Sequence, residues 1–143
     1  MQGRGFTLIE LLVTLSIFAI LSAIVVPIYT QYAQRGYRTE VMSELMVCAQ
    51  ALERFSAVNF TYEGANPDGD GTPLGTQFCD PVSVRQGRYV ITAVTTSSTY
   101  ELTAAPAGAM RGDGVITLDQ AGRRTWDEND DGVETEDEDW EES

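Results

Sequence analysis

The chain contains no histidine and no lysine. Without histidine, the neutral metal ligand, the general base that titrates near pH 7 and the Ser-His and Cys-His nucleophile pairs are all missing, which excludes most hydrolytic mechanisms. Positive charge is scarce too: nine basic residues, every one an arginine, stand against 22 acids, for a net charge of −13. A polyanion gains little from meeting such a chain, so nucleic acid is not expected among its partners. The two cysteines, Cys48 and Cys79, do not form a Cys-x-x-Cys pair, and no cation stands at fixed spacing to activate a thiol, so redox catalysis is excluded as well. What remains is a chain with no catalytic residues and no required cofactor, and its 143 residues suit one modest domain with an appendage.

The residues that are present are distributed unevenly. Residues 6–28 form a continuous apolar run whose only charge is Glu10. As a helix the run reaches about 35 Å, enough to cross a bilayer core. Arg4 just before it places the short N-terminal stub in the cytoplasm and the rest of the chain outside. From Tyr29 to about Val58 the pattern turns amphipathic, with Val41, Leu45, Cys48, Leu52 and Phe55 on one face and Arg38, Glu40, Glu44, Gln50, Glu53 and Arg54 expected opposite. Pro27 is the only break signal between the two stretches, so we expect one helix of about fifty residues, kinked near Pro27.

Residues 60–87 gather Gly, Pro, Asp and Asn without sustained periodicity and predict a long loop, with Asp68-Gly69-Asp70-Gly71 read as an ordinary turn in preference to a short calcium-binding loop. Residues 88–95 and 99–105 then alternate, placing Tyr89, Ile91 and Ala93 on one face and Tyr100, Leu102 and Ala104 on one face of the next run. Residues 115–118 and 123–126 extend this hairpin to an antiparallel sheet of three or four strands. The fold class is therefore α+β, a long helix packed by its second half on that sheet. The expected divisions are 1–5, 6–28, 29–126 and an acidic tail, 127–143, which holds 11 of the 22 acids and no base.

The most specific text is the start: Arg4-Gly5, then Phe6-Thr7-Leu8-Ile9-Glu10 opening the apolar run. A charge inside a membrane helix costs about 2.5–3.5 kcal/mol on insertion scales and calls for a partner. Thr7 and Glu10 also fit a helix capping box. Here the chain resembles the type IV pilin family, whose precursors carry a short basic leader ending in Gly before Phe, with a Glu four residues on. Tyr29, Tyr32, Arg35, Gly36 and Arg38, with the texts at 100–104 and 116–122, are similar to its PilE-like minor-pilin branch. The resemblance implies a pilin fold, cleavage between Gly5 and Phe6 by a prepilin peptidase, and N-methylation of Phe6. It also implies assembly through Phe6, Glu10 and Pro27, with the Phe6 ammonium neutralising Glu10 in its own subunit or the next. The expected partners are copies of the chain or other pilins, the peptidase, the inner-membrane assembly platform, and lipid before assembly. The expected role is a structural subunit for adhesion, motility or DNA uptake, inserted first in the inner membrane and later part of a surface filament.

An extracytoplasmic compartment permits a Cys48–Cys79 disulfide, closing a loop of about thirty residues worth roughly 3–4 kcal/mol; two unlinked thiols are the alternative. Many related pilins pin a C-terminal loop with a disulfide, and this chain has no cysteine there. In that place Asp127, Asn129 and Asp131 precede Gly132, with Glu138 further on, in the spacing of a calcium loop; a solvated acidic tail is the other reading. Arg35, Arg38, Arg85, Arg88, Arg123 and Arg124 are either a basic patch or, as we favour, scattered charges balanced by nearby acids. Two further roles fit the same text: a pseudopilin of a secretion or competence machine, and a membrane-tethered calcium-binding domain that never polymerises.

Overall fold

The computed structural model describes residues 6–66, 69–74 and 78–127. The chain divides into two units, Met1–Arg35 and Gly36–Ser143. A single helix, α1, spans Leu8–Asn59 and contributes to both.

In the first unit Thr7 caps the start of α1: its carbonyl accepts the Leu11 amide at 3.2 Å and its hydroxyl accepts the Glu10 amide at 3.4 Å. Straight-chain and branched apolar residues follow without a charge, and the helix runs through Pro27, which lacks the N–H that would bond the Ala23 carbonyl. Two hydroxyls in the run bond back to the helix backbone. Thr14 Oγ1 donates to the Glu10 and Leu11 carbonyls at 3.0 and 2.9 Å, and Ser16 Oγ to the Leu12 carbonyl at 2.8 Å.

In the second unit the helix buries Val41, Leu45, Cys48 and Leu52 along one stripe, with Met42, Ala49 and Ala51 beside it. The stripe packs on a sheet of four antiparallel strands: β1 (Tyr89–Thr95), β2 (Tyr100–Pro106), β3 (Val115–Asp119) and β4 (Arg124–Asp127), in spatial order β1-β2-β3-β4. Register follows the alternation. Ala93 faces Leu102, Leu102 faces Leu118, and Ile116 faces Trp126, so one pleat face carries Tyr89, Ile91, Ala93, Tyr100, Leu102, Ala104, Ile116, Leu118 and Trp126 into the core. The expected hairpin faces are therefore those observed. The last strand runs one residue past the expected boundary, so Asp127 ends β4 instead of opening the tail.

Two features depart from the expected long loop. Val82–Arg85 form a short helix, α2. The segment around Thr72 runs along the outer edge of β1: the Gly71 amide bonds the Ala93 carbonyl at 2.9 Å, the Leu74 amide the Ile91 carbonyl at 2.8 Å, and Pro73 bridges Thr92. Asp70 Oδ1 accepts both the amide and the hydroxyl of Thr95 at 2.9 Å. The turn at Asp70 is thus a cover for a sheet edge, and Pro73 sits where a strand proline is tolerated.

Candidate functional site

Two places concentrate the side chains that function requires. The first is the start of α1. Phe6 is 81% exposed, Glu10 is exposed, and every large apolar residue described from Leu8 to Ile28 stands at least half exposed. A soluble domain rarely leaves so long an apolar surface uncovered, because burying it would gain about 25 cal/mol per Å². By length and composition this helix can cross a membrane. Gly5 lies outside the described residues.

The second is a latch that fastens the second unit's part of α1 to the sheet. Asp113 stands between Gly112 and Gly114 in the turn before β3, and its carboxylate receives Arg38 through Nε at 3.1 Å and through the terminal nitrogen at 2.6 Å. The Tyr89 hydroxyl donates to the same carboxylate at 2.8 Å, while Trp126 Nε1 donates to the Asp113 carbonyl at 2.7 Å. The Arg38 guanidinium also lies 3.7 Å above the Trp126 ring. Helix, β1, β4 and turn meet in one buried cluster. Burial, then the bond to Asp113, pushes the Tyr89 phenol far above its ordinary pKa. Gly114 has φ +85, and a Cβ there would lie 1.9 Å from the Asp127 carbonyl oxygen, so no other residue fits the turn.

A second carboxylate from α1 organises α2. Glu44 accepts the Val82 amide at 2.6 Å, the Ser83 amide at 3.1 Å and the Ser83 hydroxyl, supplying the cap that Pro81 cannot. Cys79 lies just upstream and is joined to Cys48 by a disulfide with 5.2 Å between Cα atoms. The expected bridge is present, and it ties the long connection to the helix on the same side as Glu44.

Four of the six arginines expected as scattered charges meet an acid: Arg38 meets Asp113, Arg85 Asp80, Arg88 Glu40 and Arg123 Asp119. Arg88 also covers the Tyr37 ring at 4.1 Å. At Asp119, burial alone would raise the carboxyl, but the Arg123 amide and guanidinium and the Ala121 amide outweigh it and hold the pKa below 3.8. Near the end of α1, Glu53 accepts the Tyr62 hydroxyl at 3.0 Å, and the Tyr62 and Tyr100 rings meet edge to face at 5.0 Å. Burial, then the Glu53 charge, pushes the Tyr100 phenol up to about 12.

Arg38 was expected opposite the buried stripe, and that expectation is corrected: it lies on the stripe, buried with Asp113. Its spacing of three from Val41 was the available signal. By sequence Gly112-Asp113-Gly114 reads as a turn, and its acid between two glycines of positive φ is what the structure uses for the contact with Arg38. Of the calcium residues, Asn129, Asp131 and Glu138 lie outside the described residues, and Asp127 is buried at the end of β4. Among the described residues no cluster of acids, cysteines or histidines could hold a metal ion.

Comparison with known proteins agrees with this geometry. A family profile described as type IV minor pilin ComP, DNA uptake sequence receptor, matches residues 27–117, and one described as the prokaryotic N-terminal methylation motif matches residues 1–26. Prepilin peptidase-dependent protein D of Escherichia coli is 32% identical over 88 residues, 60% of this chain and 60% of that protein. A fimbrial protein of Pseudomonas aeruginosa is 39% identical over 75 residues, 52% of this chain and 46% of that protein. The type IV major pilin protein PilA of Myxococcus xanthus is 31% identical over 87 residues, 60% of this chain and 40% of that protein. The matches thus span 60% or less of each of these relatives. No solved structure matches the chain. The methylation motif and the apolar first helix fit an inner-membrane precursor that becomes part of a surface pilus. With a profile that covers more than half of its length and the sheet that the pilin resemblance implied, the chain belongs to the type IV minor pilin family.

Proposed function

We propose that this protein is a minor structural subunit of a type IV filament and catalyses no reaction. It is made as an inner-membrane precursor, cut between Gly5 and Phe6 by a prepilin peptidase, methylated on the new Phe6 amine, and polymerised with copies of itself or other pilins. The observation that carries the reading is the uncovered apolar surface of α1 from Leu8 to Ile28, headed by Glu10 and matched to the methylation motif. Moving such a helix from lipid into a bundle of like helices changes its surroundings little in polarity, so packing and charge pairing decide the register. Glu10 pairs with the Phe6 ammonium of its own or a neighbouring subunit, which removes the cost of an isolated charge in an apolar core.

Intact-mass measurement of protein from native envelopes tests this. Loss of Met1 to Gly5 with gain of one methyl group is expected, and Glu10→Ala should leave the chain folded but outside filaments. A chain that still begins with Met1 and stays as single copies in the membrane refutes the proposal.

A second reading, DNA contact in uptake, is favoured by the description of the matched family. The charge distribution weighs against it: the net charge is −13, and Arg38, Arg85, Arg88 and Arg123 are each held by a carboxylate. Gel-shift titration with duplex DNA at low salt separates the readings, and a shift that weakens steeply with added salt would establish DNA contact.

A further inference from the structure

The first unit has two tyrosines, Tyr29 and Tyr32, and both follow directly on the apolar run. They stand 71% and 79% exposed, three residues apart and so on neighbouring positions of one helix face. Packing among the described residues leaves both phenols uncovered. A phenol has an apolar ring and a polar tip, and it settles where hydrocarbon gives way to headgroups. Length completes the argument. From Leu8 to Tyr29 the helix rises about 32 Å and from Glu10 to Tyr29 about 28 Å, against a hydrocarbon core of about 30 Å.

We propose that Tyr29 and Tyr32 anchor the precursor in the outer headgroup layer of a phospholipid bilayer, and that this sets the depth of the span so that Glu10 lies at the opposite boundary. The inference rests on the membrane-precursor reading above and adds a ruler to it. With the phenols fixed at one boundary, the Glu10 carboxylate reaches the other boundary instead of the hydrocarbon, where an ionised group is far less costly. The bond before Phe6, four residues further out, is then presented beyond the hydrocarbon. Gln31, Gln34 and Arg35 keep that end of the helix out of the hydrocarbon, and the two phenols, which favour the boundary itself, fix where it stops. The hydroxyls of Thr14 and Ser16, bonded back to the helix backbone, fit lipid along the length between.

The test uses the full-length precursor in phosphatidylcholine vesicles carrying lipids brominated near the headgroup or near the chain ends. Tryptophan fluorescence is read from Tyr29→Trp and, as a mid-span reference, Ile17→Trp, with the parent signal of Trp126 and Trp140 subtracted. We expect position 29 to be quenched at least twofold more by shallow than by deep bromine, and position 17 the reverse. Equal quenching at both positions, or no quenching at position 29 because water or a second copy surrounds it, overturns the anchor. The ruler is read by prepilin peptidase cleavage of Tyr29→Leu/Tyr32→Leu, a change that keeps the helix and its apolar character. A severalfold slower cleavage, restored by Tyr29→Trp/Tyr32→Trp, is expected, and parental rates in the Leu variant overturn it. A parent that is never cleaved refutes the processing reading instead, and the quenching ratio still decides the anchor.

Discussion

Removing the Asp113 side chain strands a guanidinium. Arg38 and Asp113 are 11% and 7% exposed at their side chains and meet through two hydrogen bonds, so Asp113→Ala leaves Arg38 buried without its counter-charge. Breaking a buried pair from one side costs about 3–5 kcal/mol, and the Tyr89 hydroxyl loses its acceptor in the same step. At about 4–8 °C per kcal/mol for a domain near this size, the melting temperature should fall by roughly 12 °C or more. Thermal and urea unfolding of the full chain in detergent micelles, followed by the fluorescence of Trp126 and its neighbours, reads the loss. Asp113→Asn, which keeps the turn and one acceptor, should fall between Ala and the parent. The decisive comparison is Arg38→Met with Asp113→Ala: the double variant has no stranded charge and should be more stable than Asp113→Ala alone. If Asp113→Ala costs under about 1 kcal/mol, or the double variant is simply the sum of the singles, the latch is not what holds helix to sheet.

Three further outcomes follow from the same geometry. Gly114→Ala forces a Cβ to within 1.9 Å of the Asp127 carbonyl at φ +85, so a loss of at least about 2 kcal/mol in urea is expected, whereas Gly64→Ala, which meets open space, should lose less. Reducing the Cys48–Cys79 bridge, whose sequence separation is 31, should lower stability by about 3–4 kcal/mol in the chain-entropy account, seen as a lower urea midpoint in dithiothreitol; an unmoved midpoint refutes it. Because the Tyr100 phenol is raised in the fold from 10.0 to about 12, its contribution is complete below pH 10 and is lost as pH climbs from there toward 12. Melting curves across that range should decline less steeply for Tyr100→Phe than for the parent.

The regular parts of the fold were legible because their signals are local. Tyr89, Ile91 and Ala93 alternate with exposed or half-exposed neighbours, as do Tyr100, Leu102 and Ala104, and a period of two leaves one assignment for each face. The stripe from Val41 to Leu52 is equally plain at helical spacing. What stayed hidden depends on partners far away in sequence. Four residues, Val82–Arg85, carry no period, and their cap comes from Glu44, 38 residues earlier. Asp70 reads as a turn acid until the β1 edge, 25 residues on, supplies the Thr95 amide. Of the candidate assembly residues, Phe6 and Glu10 were legible as motif, and their exposure is what a partner-seeking helix requires.

Arg38 shows why the polar part of such a fold resists reading. A cation on a helix face is ordinarily assigned to solvent, because an isolated buried charge is prohibitive. The assignment fails here because arginine can satisfy two demands at once: its planar fork takes both Asp113 oxygens, and its face lies on Trp126. Lysine, a point charge, could meet one of these. In a chain whose positive charges are all arginine, a guanidinium at stripe spacing is therefore better read as a core residue awaiting an acid from a turn, and the acid to look for is one flanked by glycines. That rule leaves two acids in the folded unit, Asp70 and Asp113; Asp70 is taken by the Thr95 amide and hydroxyl, whereas Gly112 and Gly114 let the backbone bring the Asp113 carboxylate to Arg38 while Trp126 holds its carbonyl.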